Sequence, residues 1–358
     1  MSKLKVGVVG TGGIFRAVHG PGWSSHPSVD IVAMCDFRRE AAEACAREYG
    51  VTRVYSDYTD MLEREKLDIV AVCTPNVYHS AVSIAALERG VHVFSEKPDA
   101  INPAEARRMA AAAARSGKLL MVMRNNRFMP ASQFLKSYIE SGQMGDIYTG
   151  RAGWIRRRGI PGRGGWFTTR ELSGGGPLID LGVHMIDLAM WLMGDPQPVA
   201  VSGAAYTKFA HTTLADSAHS QFGSAVENGT FDVEDLAAGF IRFANGATLQ
   251  IEFSWASNIV EEMKFLELRG TSAGCSLRGD TLQLATEIEH TLCDIAPRFG
   301  SGTGSSHSRN IHHFIECVLG REEPIIRPEH GVDMIEILTA IYESASTGAE
   351  VRLDSPDK

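Results

Sequence analysis

The chain reads as an α/β domain on a parallel sheet, followed by a second domain of α+β type with a mixed sheet and helices. Three observations carry this reading. From Lys3 to about Met123, apolar runs rich in Val and Ile alternate with helical patterns, the signature of βαβ units. Beyond Met123 the alternation stops and hairpin signals replace it, clearest at Asn245-Gly246. The 358 residues suffice for two domains of common size, each with its own core. The spans 1–123 and 124–358 are therefore expected, with the closing helix a candidate to pack back on the first domain.

In the first span the strands are Lys5 to Val9, Ile31 to Cys35, Ile69 to Cys73, His92 to Ser95 and Leu119 to Met123. They are nearly continuous in apolar residues, as strands covered by helices on both faces must be. Helices fit Arg38 to Glu48, Tyr78 to Arg89 and Pro103 to Ser116. Gly50, Gly90 and Gly117 stop them and Pro103 opens the third at its first turn. The second span offers a helix around Ser132 to Glu140, a strand near Tyr148 to Trp154 and a glycine- and arginine-rich loop to Gly176. A helix from Pro177 to Met193 comes next. Asn245-Gly246 then predicts a type I′ hairpin joining Ala238–Phe243 to Ala247–Phe253. Ala210 to Thr230 lacks periodicity and reads as a long loop or arm. Helices near Asn310 to Leu319 and Val332 to Ser344 complete the chain.

Composition narrows the function. Hydrophobic content of 44% and charged content of 22% are those of a globular protein, and a net charge of −8 with pI near 5.9 argues against nucleic acid or an anionic membrane as partner. No signal-peptide pattern or membrane-spanning stretch is evident, so the cytoplasm is the expected location. The six cysteines are scattered without a C-x-x-C pair and read as reduced residues of a reducing compartment.

Gly10-Thr11-Gly12-Gly13-Ile14-Phe15 follows a strand and precedes a helix, the context of a dinucleotide fingerprint. Gly10 allows the tight turn, and Gly12 lets the backbone approach a pyrophosphate at a helix N-terminus. Phe15 occupies the third position, where a small residue would leave more room for helix–strand packing. Asp36 ends the second strand, where a carboxylate can bind the adenosine ribose hydroxyls, which favours NAD. Arg38 follows and would suit the 2′-phosphate of NADP. Thr74-Pro75-Asn76 turns the chain after the third strand and can reach a nicotinamide ribose, with His79 just beyond. Glu96-Lys97-Pro98 follows His92-Val93-Phe94, placing Lys97 where a parallel strand stops and ligands of such sheets bind.

Asp180 and His184, four apart on the helix after Gly174-Gly175-Gly176, share one face, with Asp187 one turn on. Taken alone, the pair is better explained by a helix dipole favouring an acid in its first turn and a histidine paired to it four residues on. The three glycines, by giving a ligand room, and the strand-end Lys97, available to complete a site, count against that reading. In the loop Trp154 to Arg170, Arg156, Arg157, Arg158, Arg163, Trp166 and Phe167 fit either a sugar-binding border, with Trp166 stacking on the ring, or a surface loop. Arg127, just past the domain boundary, is a further substrate-binding candidate. His312 and Glu316 lack a third metal ligand and read as a helix pair, so no metal is expected.

Together Gly10-Thr11-Gly12-Gly13-Ile14, Thr74-Pro75-Asn76 with His79, Glu96-Lys97-Pro98 and Asp180 with His184 resemble, in order, the Gfo/Idh/MocA oxidoreductases. The resemblance spans nearly the whole chain. It implies a Rossmann domain joined to an open, mostly antiparallel sheet domain that forms homodimers or homotetramers. It also implies a catalytic group of Lys97, Asp180 and His184, a cofactor site including Ile14 and Glu96, and a sugar or polyol substrate bound by Asp180, His184 and neighbouring arginines. A secondary alcohol that gives up hydride must also lose its hydroxyl proton. His184 suits that task near neutral pH, while Lys97 can stabilise the developing charge on oxygen. Two rival functions remain at this level: an NAD-dependent glycosidase acting through transient oxidation, and a non-catalytic dinucleotide sensor.

Overall fold

The computed structural model describes residues 3–215, 217, 223–300 and 304–353. Two compact units divide the chain, Met1–Asn125 with Gly304–Ile335, and Asn126–Thr303 with Glu336–Lys358. The first break falls at Asn125 rather than Met123. The span 124–358 is not one body, because residues 304–335 return to the first unit. Aromatic packing explains the return. The helix Ser306–Val318 lays Phe314 against Trp23 and Phe94, with ring centroids 6.2 and 5.2 Å apart.

In the first unit the strands are β1 (Leu4–Val9), β2 (Val29–Cys35), β3 (Arg53–Tyr55), β4 (Ile69–Val72), β5 (His92–Ser95) and β6 (Leu120–Val122). All pair in parallel, in the order β3-β2-β1-β4-β5-β6. The order reverses between β1 and β4, and a ligand crevice lies outside the carboxyl ends of strands at such a point. β4 is buried along its whole length, as its unbroken Ile-Val-Ala-Val requires. Flanking helices are Arg39–Tyr49, Tyr58–Arg64, His79–Glu88 and Pro103–Ser116. The last follows the sequence rules closely: Asn102 accepts the Glu105 N–H at 3.0 Å, Pro103 opens the first turn, and Gly117 ends the helix with φ +65°. β3 and Tyr58–Arg64 were not expected, being too short to print a period.

The second unit builds on β7 (Ile147–Ile155), β8 (Pro198–Tyr206), β9 (Leu236–Phe243), β10 (Thr248–Ser254), β11 (Met263–Gly270), β12 (Ala273–Arg278), β13 (Thr281–Ile288), β14 (Thr291–Ile295) and β15 (Val351–Arg352). They form one sheet in the order β14-β13-β12-β11-β7-β10-β9-β8-β15. Every pairing is antiparallel except β7 with β10, at the sheet's centre. The expected hairpin joins β9 to β10, but its turn is not type I′. That turn needs positive φ at both central residues, and only Gly246 has it, at +85°. The loop is one residue longer: the Gly246 N–H donates to Phe243 O at 3.0 Å, and Asn245 Oδ1 accepts the Ala247 N–H. The two-residue connection of β13 to β14 is the one with positive φ at both positions, Glu289 and His290.

The expected helix Pro177–Met193 is a π-helical turn, Leu178–Gly182, running into an α-helix, Val183–Leu192. In the segment 210–230, residues 216 and 218–222 lie outside the described ones, and the rest holds one isolated bridge, Gly164 to Thr230. All six cysteines are unbonded to one another, and burial above all pushes the thiols of Cys35, Cys275 and Cys317 up to about 12. Those three are thiols, not nucleophiles. His312 and Glu316 make ordinary contacts, with Ser25 Oγ at 3.0 Å and His26 Nε2 at 3.0 Å respectively.

Candidate active-site residues

The expected cofactor residues lie in the first unit. Gly10, at φ +93°, turns the chain out of β1, and a Cβ there would strike the Cys73 backbone. Its glycine is demanded by the fold. At Gly12 and Gly13 a Cβ would meet nothing within 4 Å. The protein itself leaves those two positions open, and their backbone is accessible to a pyrophosphate. Asp36 is buried at the end of β2, its Oδ2 accepting the Thr11 N–H at 2.9 Å and the Thr11 hydroxyl at 3.1 Å, its Oδ1 the Arg38 N–H at 3.1 Å. This fixed negative charge suits ribose hydroxyls and repels a 2′-phosphate. Arg38 is exposed, with its guanidinium over Phe37. Thr74 Oγ1 is buried without a hydrogen-bond partner, an orphan a ribose hydroxyl would satisfy. Together these features fit a dinucleotide.

Phe15 costs less room than its position suggested. The chain after the loop is a π-helical turn, Phe15–His19, and Phe15 is buried against Tyr49 at 5.5 Å.

Within Val93–Ala100 every residue is buried except Lys97. Two expected cofactor ligands instead build the ground beneath it. His79 is fully buried, and its ring nitrogens face two carbonyls, Pro98 O at 2.7 Å and Thr74 O at 2.9 Å, so it ties together the loops after β4 and β5 and presents nothing to a ligand. Burial pushes its imidazole below the usual range. Glu96 also faces inward, towards His19 Nε2 at 2.7 Å and the Lys97 N–H at 3.1 Å. Burial alone would raise its carboxyl, but the His19 hydrogen bond and charge, with Lys97 and His307, hold it down at about 2.

The expected substrate-side residues Asp180 and His184 lie in the second unit. From Gly175 to Leu192 every residue is buried except Asp180 and His184. Asp180 Oδ2 accepts the indole N–H of Trp255 at 2.9 Å. Trp154 lies beside His184, ring centroids 6.1 Å apart, and the guanidinium of Arg156 sits 5.0 Å from the Trp154 ring centre. Burial pushes Arg156 below the usual arginine range, with Asp180 opposing the shift. Arg156 and Trp255 follow directly on the ends of β7 and β10, the parallel pair, where Arg156 N–H donates to Ser254 O at 3.0 Å. Trp255 was not expected as a functional residue, though its place at a strand end is the same signal that marks Lys97.

Three expectations are corrected here. The triple glycine makes room for protein rather than ligand: a Cβ at Gly175 would strike the Tyr342 ring and one at Gly176 the Glu234 carbonyl. Glu234 accepts the N–H groups of Gly176 at 3.0 Å and Leu178 at 3.1 Å and the Tyr342 hydroxyl at 2.8 Å, anchoring the start of the helix that carries Asp180 and His184. Arg127 does not face substrate. It is buried and grips Asp187 with two donors, at 2.9 and 2.7 Å. Arg163 donates from Nε and Nη2 to the Ala210 carbonyl, and Trp166 stacks on Phe167 at 3.8 Å. Among the described residues no hydrogen bond or ring contact joins Arg163 or Trp166 to the Asp180–Trp154 cluster.

Residues 4–124 match the oxidoreductase family with an NAD-binding Rossmann fold, and residues 132–275 the GFO/IDH/MocA C-terminal domain. The chain is 35% identical to D-glucoside 3-dehydrogenase of Escherichia coli K12 over 98% of both chains. It is 27% identical to scyllo-inositol 2-dehydrogenase (NAD(+)) of Bacillus subtilis over 92% of this chain and 91% of that one. In fold it is similar to the solved levoglucosan dehydrogenase in complex with NADH and levoglucosan, at TM-score 0.86 and 24% identity over 99% of this chain and 100% of that chain. With both parts of the chain matched and a whole-length relative above 30% identity, the chain belongs to the Gfo/Idh/MocA family and is an NAD-dependent oxidoreductase.

Proposed function

We propose that the protein transfers hydride between NAD and a secondary alcohol or ketone of a sugar or polyol, with Lys97, Asp180 and His184 as its catalytic residues. The observation that carries this is that Asp180 and His184 alone keep partial solvent access on an otherwise buried helical segment, a placement that suits polar side chains to chemistry rather than packing. NAD, when bound, supplies the hydride acceptor. His184 removes the hydroxyl proton of the alcohol. Lys97 donates a hydrogen bond to the same oxygen and stabilises its developing negative charge. Asp180, held by Trp255, orients a neighbouring hydroxyl. In the reducing direction the same groups protonate a carbonyl.

The carbohydrate class is supported by the relatives, whose names give a D-glucoside, an inositol and levoglucosan as what they act on. The cofactor set reduces to Gly12, Gly13, Ile14, Asp36, Thr74, Pro75 and Asn76, with Gly10, His79 and Glu96 shaping their loops. Among the described residues no helix is long and apolar enough to cross a membrane. We place the protein in the cytoplasm on its six unbridged cysteines, five of them buried, and as a homo-oligomer on the apolar exposure of Ile288 and Leu292 in the last hairpin of the large sheet. Sedimentation tests the second point.

The test of activity is absorbance at 340 nm with NAD and a panel of D-glucosides, levoglucosan and inositols. A rise that K97A and H184N each reduce by about 100-fold or more, with NADH affinity kept, is expected. Release of an aglycone without net NADH would transfer the protein to redox-assisted glycoside cleavage. Unchanged turnover in both variants would remove the catalytic assignment.

A further inference from the structure

We propose that Lys264 is a substrate-binding residue that donates its ammonium protons to a carbohydrate oxygen beside His184; this rests on the reading of Asp180 and His184 as residues of a carbohydrate site.

Lys264 lies on β11 directly opposite Trp154 of β7, so both side chains project from the same face of the sheet. Its Nζ sits 4.7 Å from the centre of the Trp154 ring, and that ring lies 6.1 Å from the His184 ring. Asn126 links the same two residues from another side. Its Oδ1 accepts from Lys264 Nζ at 3.1 Å, and its Nδ2 donates to the His184 carbonyl at 3.2 Å. The lysine is therefore held beside the backbone of the candidate base.

Its bonding is incomplete. An ammonium has three N–H donors, and Asn126 takes one. Among the described residues no carboxylate comes within ion-pair distance of Lys264. The charged groups that act on it are Asp280 in the turn after β12 and Arg156 after β7. Burial is the main force on its acidity and Arg156 adds to it, so that despite Asp280 the ammonium is brought down to about 8. The side chain still keeps part of its surface accessible. A position opposite a tryptophan in a sheet is filled at lower cost by Thr, Val or Met. An ammonium without a carboxylate, aimed along the face that carries His184, has donors for a partner from outside.

The test uses the full-length protein with K264M, which keeps length and contact with Trp154, with K264Q as a second replacement and K264R as the conservative one. Steady-state kinetics with methyl D-glucosides, levoglucosan and scyllo-inositol are combined with calorimetric binding of the same sugars to the NADH-loaded protein. K264M and K264Q are expected to raise KM and the sugar Kd about tenfold or more, leaving kcat within about threefold and NADH affinity unchanged, with K264R recovering part of the loss. The wild-type KM should climb as pH passes about 8, and this climb should vanish in K264M. Unchanged KM and Kd, or a loss confined to kcat, overturns the proposal. Wild-type protein that binds a sugar in a Lys264-dependent way yet never transfers hydride removes the dehydrogenase reading and leaves Lys264 as a binding residue. Failure of the wild type to bind any sugar of the panel overturns both.

Discussion

The indole nitrogen of Trp255 donates to Asp180 Oδ2 at 2.9 Å, linking the end of β10 to the π-helical turn ahead of His184. A π turn is rare and recurs at functional sites, because its wider spacing re-aims side chains that an α-helix would point elsewhere. Trp255 fixes that aim. Its replacement by Phe keeps the buried ring and deletes the donor. A hydrogen bond to a charged group is worth about 1.5–3 kcal/mol, so W255F should lower kcat/KM roughly 10- to 100-fold with NADH affinity unchanged. Equal kcat/KM in W255F and wild type would show that Asp180 needs no such anchor.

The glycine loop separates fold from ligand. G12A and G13A place a methyl in open space and should shift stability by no more than about 0.5 kcal/mol while weakening NADH about tenfold or more. G10A meets the Cys73 backbone at a positive φ and should cost about 2 kcal/mol or more. Thermal melts with and without NADH read both effects at once.

Acid sensitivity should trace in part to Glu96. Its carboxyl is held at about 2 in the fold against 4.5 for a free glutamate, so its contribution is fully present above about pH 4.5 and is lost as pH falls through 2. The amount is on the order of 3 kcal/mol. Glu234 has the opposite sign: burial raises its carboxyl, so ionising it costs stability as pH rises. E96Q should flatten the decline of Tm with acidification between about pH 4.5 and 2.5. An unaltered slope would place the acid-sensitive group elsewhere.

Arg127 tests its reassignment from substrate to scaffold. R127M strands the buried Asp187 carboxylate and should destabilise the protein by about 3–5 kcal/mol in urea denaturation. R127M/D187L removes both charges and should recover most of that loss. A variant R127M of normal stability and raised KM would restore the substrate role.

Much of the first unit, and the choice of candidate site residues, were determined by the sequence alone. Continuous Val-Ile runs can be buried only between helices, and glycine and proline punctuate backbone locally, so five strands and three helices were legible with their order. Asp36, Lys97, Asp180 and His184 were legible for the same local reason: each is a charged or titratable residue at a strand end or on one helix face. Other features depended on residues far apart in the chain. Gly175 and Gly176 looked like room for a ligand until Tyr342 and Glu234 filled it. Arg127 looked available until Asp187, 60 residues on, claimed it. The parallel pairing of β7 with β10 juxtaposes Arg156 and Trp255, and the β7–β11 register sets Lys264 opposite Trp154. Local chemistry states what a residue can do. Burial and long-range pairing decide which of those capacities remain available to a ligand, because a donor or acceptor already satisfied inside the protein gains little by binding anything else.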